Sequence, residues 1–290
     1  MQKFKHIHRN AFSMLELVFV IVILGIVSSI GAEVIAKVYD SYIIERATHR
    51  SSLKTELAVT QIANRLAYAI PGTIIGGKSG GTFADIENLD ASNYDILEWI
   101  GYDNDSFSAY AKPGWSGFAD IGVEATGTSS SKLSTPGSDL DKTGTIIQSL
   151  GGSGISDAAI LFPGTFTVNN IGYNSNTSGI IPVTGATGET LTVALTGKTV
   201  VEHYKLTWSA YAIVPSSPHA DGTVDLSLYY NFQPWLGEAY TDGKNMILIK
   251  NVSVFKFVGS PNTIRFKICQ QEKISNSYKI TTCKEKAVIR

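Results

Sequence analysis

Residues 10–32 read NAFSMLELVFVIVILGIVSSIGA, and this stretch decides how the chain is organised. From Phe12 to Ala32 every residue except Glu16 is apolar or small. These 21 residues would extend about 31 Å as a helix, just enough to cross the hydrocarbon core of a bilayer. We therefore expect a membrane-spanning helix that carries one carboxylate near its start.

The residues before the apolar run predict its orientation. Lys3, Lys5 and Arg9 precede it, and basic flanking residues remain on the cytoplasmic side of a membrane. This predicts that the rest of the chain is exported. A secretory signal peptide, cleaved after Ala32, is the alternative interpretation of the same stretch.

The sequence after Ala32 favours a continuing helix. Residues 33–69 contain neither proline nor glycine, and Pro71-Gly72 then forms a strong stop. We expect one helix over residues 12–70, transmembrane to about residue 32 and amphipathic after it. Glu33 and Lys37 form an i,i+4 ion pair in the favoured order.

Apolar residues four positions apart predict which face of the second half is buried. The expected apolar face consists of Tyr39, Ile43, Leu53, Leu57, Ala58, Ile62 and Leu66. The expected opposite face consists of Ser51, Ser52, Lys54 and Thr55.

The composition changes at the proline, and residues 71–290 read as an exported, β-rich domain. Residues 72–198 are rich in Gly, Ser, Thr and Asn, which predicts short strands and long loops with no strong helix. Residues 203–214, HYKLTWSAYAIV, predict one half-buried strand, and residues 223–230 predict another. Asp242-Gly243 predicts a hairpin turn before a further apolar run.

Two strands are expected to close the chain, and they contain its two cysteines, Cys269 and Cys283. Ile264, Phe266 and Ile268 share one face of the first strand. Cys269 lies on the other face, with Arg265 and Lys267, and Cys283 lies on the corresponding polar face of the second strand. The two cysteines could therefore form a disulfide in an oxidising compartment. Two unpaired thiols are the alternative.

Residues 10–17, NAFSMLEL, resemble the processing site of type IV pilins and of type II secretion pseudopilins. In that family a short basic leader is removed before a phenylalanine, and the new N-terminus is methylated. The fifth residue of the mature chain is then a glutamate. Here the cut would fall between Ala11 and Phe12, which makes Glu16 that fifth residue; the family usually has glycine where this chain has Ala11.

The resemblance implies a role for each of these residues. Residues 1–11 would be a leader removed by prepilin peptidase, and Glu16 would pair with the terminal amine of Phe12 on a neighbouring subunit. The unpaired carboxylate would be costly in a low-dielectric helix bundle. The partners implied are the inner membrane and other pilins, with a secretion substrate as a further candidate, and C-terminal disulfides such as Cys269–Cys283 are common among pilins.

Charge is distributed unevenly along the chain. Residues 79–141 hold eleven acids and two lysines, net −9, whereas residues 244–290 hold ten bases and two acids, net +8. Two solvated surfaces, or two parts of one domain that attract each other, would explain this. The alternative is head-to-tail complementarity between neighbouring subunits. DNA binding by the basic end is not favoured, because no stacking pattern accompanies it.

Two short motifs resemble ligand-binding loops. Residues 72–79 fit the phosphate-binding pattern G-x-x-x-x-G-K-S, but a helix enters the loop and no helix follows, so a turn-rich linker explains them better. Asp139, Asp141 and Thr143 resemble the start of a calcium loop that lacks its final glutamate, because that position is Leu150. An acidic surface turn is the simpler interpretation.

No arrangement of histidine, serine, cysteine or carboxylates in the sequence predicts catalysis or a zinc site. We therefore expect a non-enzymatic α+β protein without a cofactor, in which one long N-terminal helix precedes an antiparallel β domain in a pilin-like layout. The resemblance implies a minor pilin or pseudopilin, similar in size to the J-like pseudopilins or W-like minor pilins, with a periplasmic C-terminal domain. A membrane-anchored or secreted binding protein, such as an adhesin, is the alternative.

Overall fold

A computed structural model of the chain describes residues 13–78, 81–89, 94–108, 112–122, 131–260, 263–275 and 278–289. It shows one long N-terminal helix, α1 (Met14–Leu66), followed by an antiparallel β domain with two sheets. Two shorter helices lie in that domain, α2 (Asn104–Ser108) and α3 (Leu140–Ser149). The chain is therefore an α+β protein, as the sequence predicted.

The larger sheet has eight antiparallel strands, of which the N-terminal ones are short and the C-terminal ones are long. The bounds are β1 Ile75–Gly77, β2 Phe83–Asp85, β3 Ile96–Gly101, β9 Ser209–Pro215, β10 Val224–Phe232, β11 Lys244–Ser260, β12 Thr263–Lys273 and β13 Lys279–Ile289. They lie in the order β13-β12-β11-β10-β9-β3-β1-β2.

The smaller sheet has five antiparallel strands. Its bounds are β4 Lys132–Ser134, β5 Ala159–Leu161, β6 Ile181–Thr187, β7 Thr190–Val193 and β8 Lys205–Thr207. These strands lie in the order β4-β7-β6-β5-β8. Short 3₁₀ turns connect several strands of the domain, at Ile86–Asn88, Ile155–Asp157, Val168–Asn170, Pro234–Leu236 and Tyr240–Asp242.

The larger sheet is the central layer, and its two faces have different partners. Leu97 and Trp99 of β3 contact the C-terminal half of α1 in one apolar cluster. Ile96 and Ile100, which alternate with them, pack on the other side against β5 and the loops around it. A third cluster fills the smaller sheet around Trp115.

Helix α1 ends at Leu66, before the predicted end near Ile70. Ala69 forms a β-bridge with Gly101, and the Ile70 amide donates to the Ile100 carbonyl at 2.9 Å. The backbone therefore leaves the helix to pair with β3, and Pro71 follows a helix that has already ended.

The predicted buried face of α1 is partly wrong. Leu53 and Leu57 are 52% and 63% exposed, whereas Ser51 and Thr55 are fully buried. The Thr55 hydroxyl donates to the Ser51 carbonyl at 2.8 Å, so the helix itself satisfies this polar side chain. The observed face is Ser51, Thr55, Ala58, Val59, Ile62, Ala63 and Leu66. Its small residues at the start let the helix approach the sheet closely.

Two other expectations about the β domain are wrong, and a third is confirmed only in part. Helix α3 lies within the segment that was expected to contain no strong helix. Residues 203–214 form two strands instead of one, because the chain passes from the smaller sheet to the larger one at Trp208. The predicted hairpin is present, because β10 pairs with β11, but residues 233–243 connect the two strands and Asp242 ends a 3₁₀ turn within that connection.

The C-terminal strands follow the predicted alternation. Ile264, Phe266 and Ile268 are buried against α1, and Arg265 and Lys267 are exposed. Strand β12 pairs with β13 over its whole length, in a register that places Cys269 directly opposite Cys283. The two cysteines form a disulfide, with their Cα atoms 4.0 Å apart.

Candidate functional site

The first half of α1 is an apolar surface without a partner in the chain. The large apolar side chains from Met14 to Val38 are all exposed. Among the described residues, α1 is the one helix long and apolar enough to cross a membrane, and none of its most apolar window is buried. An exposed apolar surface of this length requires cover from lipid or from other protein.

Glu16 lies in the first turn of this helix. Ser13 is the N-cap residue, and its hydroxyl oxygen accepts a hydrogen bond from the Glu16 amide at 3.2 Å. A carboxylate in the first turn also interacts favourably with the helix dipole. The Ser-x-x-Glu spacing is that of a capping box, a signal in the sequence that the prediction for Glu16 did not use.

The Glu16 side chain is exposed, and it forms no ion pair within the described part of the chain. Ala11 and Phe12, the expected processing site, lie outside the described residues. By contrast, the predicted Glu33–Lys37 ion pair is confirmed, with an N–O distance of 2.7 Å.

The two glycines of the apolar segment make no contact that requires a glycine. Helix α1 is continuous through Gly25 and Gly31. A Cβ atom added at either position would meet nothing within 4 Å. Any close helix approach that depends on these glycines would therefore involve another molecule.

The second half of α1 is fixed to β12 and β13 by polar contacts as well as by the apolar core. Glu272 on β12 lies 3.4 Å from the Lys54 ammonium and 4.0 Å from the Arg50 guanidinium. On β13, the Lys284 ammonium lies 3.4 Å from the Glu56 carboxylate. The helix thus presents a free N-terminal half and a docked C-terminal half.

The acidic and the basic regions lie mainly on different strands of the larger sheet. The basic region forms β11–β13 at one end of the larger sheet, and the acidic region includes β1–β3 near the other end. The two regions nevertheless meet, because the 3₁₀ turn Ile86–Asn88 of the acidic region contacts β11, where Ile86 lies against Gly259. The fold is therefore compatible with two parts of one domain that attract each other.

The candidate calcium residues are part of a helix start. Asp139 is the N-cap residue of α3 and lies 2.6 Å from the Lys142 ammonium, which lowers the pKa of Asp139. Asp141 follows in the first turn of α3, and Thr143 is fully buried. Over the described ranges, no group of three His, Cys, Asp or Glu residues could hold a metal ion.

The phosphate-binding pattern at residues 72–79 also has a structural explanation. Residues 75–77 form β1, which is buried and pairs with both β2 and β3. The stretch is therefore a strand of the larger sheet and not the turn-rich linker that was predicted.

Two buried carboxyls were not singled out from the sequence. Burial raises the pKa of Glu98 on β3 to about 8. Burial also raises the pKa of Asp103 to about 6, although its Oδ1 accepts a hydrogen bond from the Ser106 amide at 3.1 Å. Asp103 thus positions α2, whereas Glu98 has no such local role.

Comparisons of this chain with protein-family models, with curated proteins and with solved structures found no match. Conclusions about its function therefore depend on its own residues.

Proposed function

We propose that the chain is a minor pilin or pseudopilin, anchored in the bacterial inner membrane by residues 12–32 with its β domain in the periplasm. After prepilin peptidase cleaves between Ala11 and Phe12, it joins or caps a type IV pilus or a type II secretion pseudopilus. The proposal is supported most by one observation. A carboxylate, Glu16, lies at the start of an exposed apolar half-helix.

In the proposed assembly, the apolar half of α1 exchanges lipid for neighbouring helices of other subunits. Glu16 would enter this low-dielectric bundle as an ion pair with the terminal amine of Phe12 on the next subunit. A buried pair that loses one partner is strongly unfavourable, by about 3–5 kcal/mol. Incorporation should therefore depend on the charge of Glu16.

The uneven charge of the β domain would also suit a filament. The basic region forms β11–β13, and the acidic region includes β1–β3. Adjacent subunits stacked head to tail would bring the basic surface of one beside the acidic surface of the next. This arrangement would favour the correct orientation during assembly.

The N-terminus of the protein from its native membrane fraction is the first test, measured by mass spectrometry. We expect a chain that begins at N-methylated Phe12, and an Ala11→Gly variant processed at least as completely. A chain that begins at Glu33 would identify an ordinary secreted protein, and an intact Met1 would leave a membrane-anchored binding protein. Either result would contradict the filament proposal.

The second test compares Glu16→Gln with Glu33→Gln. Both substitutions remove one negative charge from α1, but Glu33 already has an intrahelical partner in Lys37. We expect Glu16→Gln to lower recovery in the assembled, sedimentable fraction at least tenfold, with normal amounts in the membrane. Equal recovery of the two variants would exclude the proposed pairing.

A further inference from the structure

A cleft of about 300 Å³ opens in the β domain, on the face of the larger sheet opposite α1. Its floor is formed by β1 and β3, at Ile75, Ile96 and Glu98. The loop after β5 and the connection between β10 and β11 form its walls. This volume is at the lower end of the range for small-molecule sites.

Glu98 is the unusual residue of the cleft. It lies between Ile96 and Ile100 on β3 and is 9% exposed. Its carboxyl group has no hydrogen-bond or ion-pair partner among the described residues. A carboxyl group that is nine-tenths buried without a partner is costly when ionised, and its position on the floor directs it into the cleft.

The walls add aromatic rings and a second carboxylate. The rings of Phe83 and Tyr173 lie 6.0 Å apart, and Tyr240 contributes a third ring. The Tyr173 hydroxyl already donates to the Thr73 carbonyl at 3.0 Å. Glu238 lies at the rim, and its Oε2 accepts a hydrogen bond from the Gln233 amide at 2.9 Å.

Carboxylates surrounded by aromatic rings are the groups that recognise organic cations. The charged and titratable side chains that line the cleft, besides Glu98, are Lys78, Tyr173, Glu238 and Tyr240. Lys78 is exposed, so Glu98 is the one buried charged side chain among the described residues that line the cleft. We propose that this cleft binds an ammonium or guanidinium group, with Glu98 as its ion-pair partner.

The group could belong to a free amine or to a lysine or arginine side chain of another chain. Binding exchanges one cation for another: the protonated carboxyl and R–NH₃⁺ give the carboxylate–ammonium pair and release H⁺. Because burial raises the pKa of the empty Glu98 to about 8, the affinity should rise with pH. It should fall about 100-fold between pH 9 and pH 6. This inference does not depend on filament assembly.

The test uses the full chain in detergent micelles and isothermal titration calorimetry. The probes are n-butylammonium, Nα-acetyl-lysine methylamide and Nα-acetyl-arginine methylamide, with n-butanol as the uncharged control. We expect binding of at least one cation at pH 9, much weaker binding at pH 6, and none of n-butanol. Binding of n-butylammonium alone would identify a free amine, and binding of the capped amino acids would identify a side chain of another chain.

The matched variants are Glu98→Gln and Glu87→Gln. Glu87 is exposed, lies in the same acidic region and does not line the cleft. We expect Glu98→Gln to weaken binding at least tenfold and Glu87→Gln to leave it unchanged. No binding of any cation at pH 9, equal binding by n-butanol, or undiminished binding by Glu98→Gln would each overturn the proposal.

Proton release gives a readout that needs no variant. Titrations of the unmodified chain at pH 7, in two buffers of different ionisation enthalpy, should show nearly one proton released for each cation bound. At pH 9.5 the release should be close to zero. Binding without proton release at pH 7 would exclude Glu98 as the ion-pair partner, even if the Glu98→Gln variant did not fold.

Discussion

The hydroxyl of Ser51 donates a hydrogen bond to the side-chain carbonyl of Gln270, across 219 positions of sequence. Both residues are fully or almost fully buried. Within the described chain, Ser51 is the first buried residue of α1, and Gln270 lies on β12. This hydrogen bond therefore marks the point at which the free half of the helix becomes the docked half.

Replacing Ser51 with alanine should destabilise the β domain. The substitution removes the donor and leaves the buried Oε1 of Gln270 unsatisfied, at a cost of about 1–3 kcal/mol. Ser52→Ala is the control, because Ser52 is partly exposed and gains the same helix propensity. Urea unfolding in micelles, followed by tryptophan fluorescence, measures the difference. Equal stability of the two variants would mean that the hydrogen bond contributes nothing net.

The apolar contact between α1 and the sheet should be concentrated on the observed buried face. Ile62 is 1% exposed and Leu57 is 63% exposed. We expect Ile62→Ala to lower the free energy of unfolding by about 2–5 kcal/mol. Leu57→Ala should change it by less than about 0.5 kcal/mol. A larger effect at Leu57 than at Ile62 would show that α1 docks through its Leu57 side and not through the observed face.

The Cys269–Cys283 disulfide should stabilise the outer end of the larger sheet. It joins directly opposed residues of β12 and β13 and closes a loop with a sequence separation of 14. Replacing both cysteines with serine should cost about 3 kcal/mol in the chain-entropy model. Hydrogen exchange should become faster in β13 and remain slow in β9. Unchanged exchange in β13 would show that pairing with β12 is sufficient to hold that strand.

Glu98 should make the stability of the β domain depend on pH. Burial raises its pKa from 4.5 to about 8. Between these two pH values, the folded chain therefore keeps a proton that the unfolded chain has lost. The contribution of protonated Glu98 to the free energy of unfolding is fully present below pH 4.5, decreases as pH rises and is absent above about pH 8.

The Glu98→Gln variant should remove this dependence, because the amide is neutral at every pH. We expect it to be more stable than the unmodified chain at pH 8.5, by on the order of a few kcal/mol. The difference should become small at pH 4. Thermal unfolding at both pH values, with Glu87→Gln as control, measures the effect. A variant that loses stability at pH 8.5 would mean that ionised Glu98 has a stabilising partner.

The sequence predicted the parts of the fold that depend on local pattern. The long run without proline or glycine predicted α1, and period-two alternation predicted the buried face of β12. The prediction assigned Ser51 and Thr55 to the exposed face because their side chains carry polar hydroxyl groups. In the structure, hydrogen bonds within the helix and with Gln270 satisfy them.

The cleft could not be predicted, because its residues come from distant segments. Glu98 occurs in an otherwise buried strand, and only the sheet order brings it to the floor of the cleft beside Tyr173 and Tyr240. Similarly, the change of sheet at Trp208 depends on pairing of β8 with β5. Alternation within one strand carries no information about which sheet it joins.

The length of α1 also determines how far the β domain lies from the membrane surface. In the proposed orientation, the ten residues between Ala32 and Ile43, the first partly buried residue of α1, form a helical stalk about 15 Å long. This stalk has no proline or glycine and contains the Glu33–Lys37 pair. The β domain would therefore stand clear of the lipid headgroups. It would meet neighbours whose own globular parts are raised to the same level.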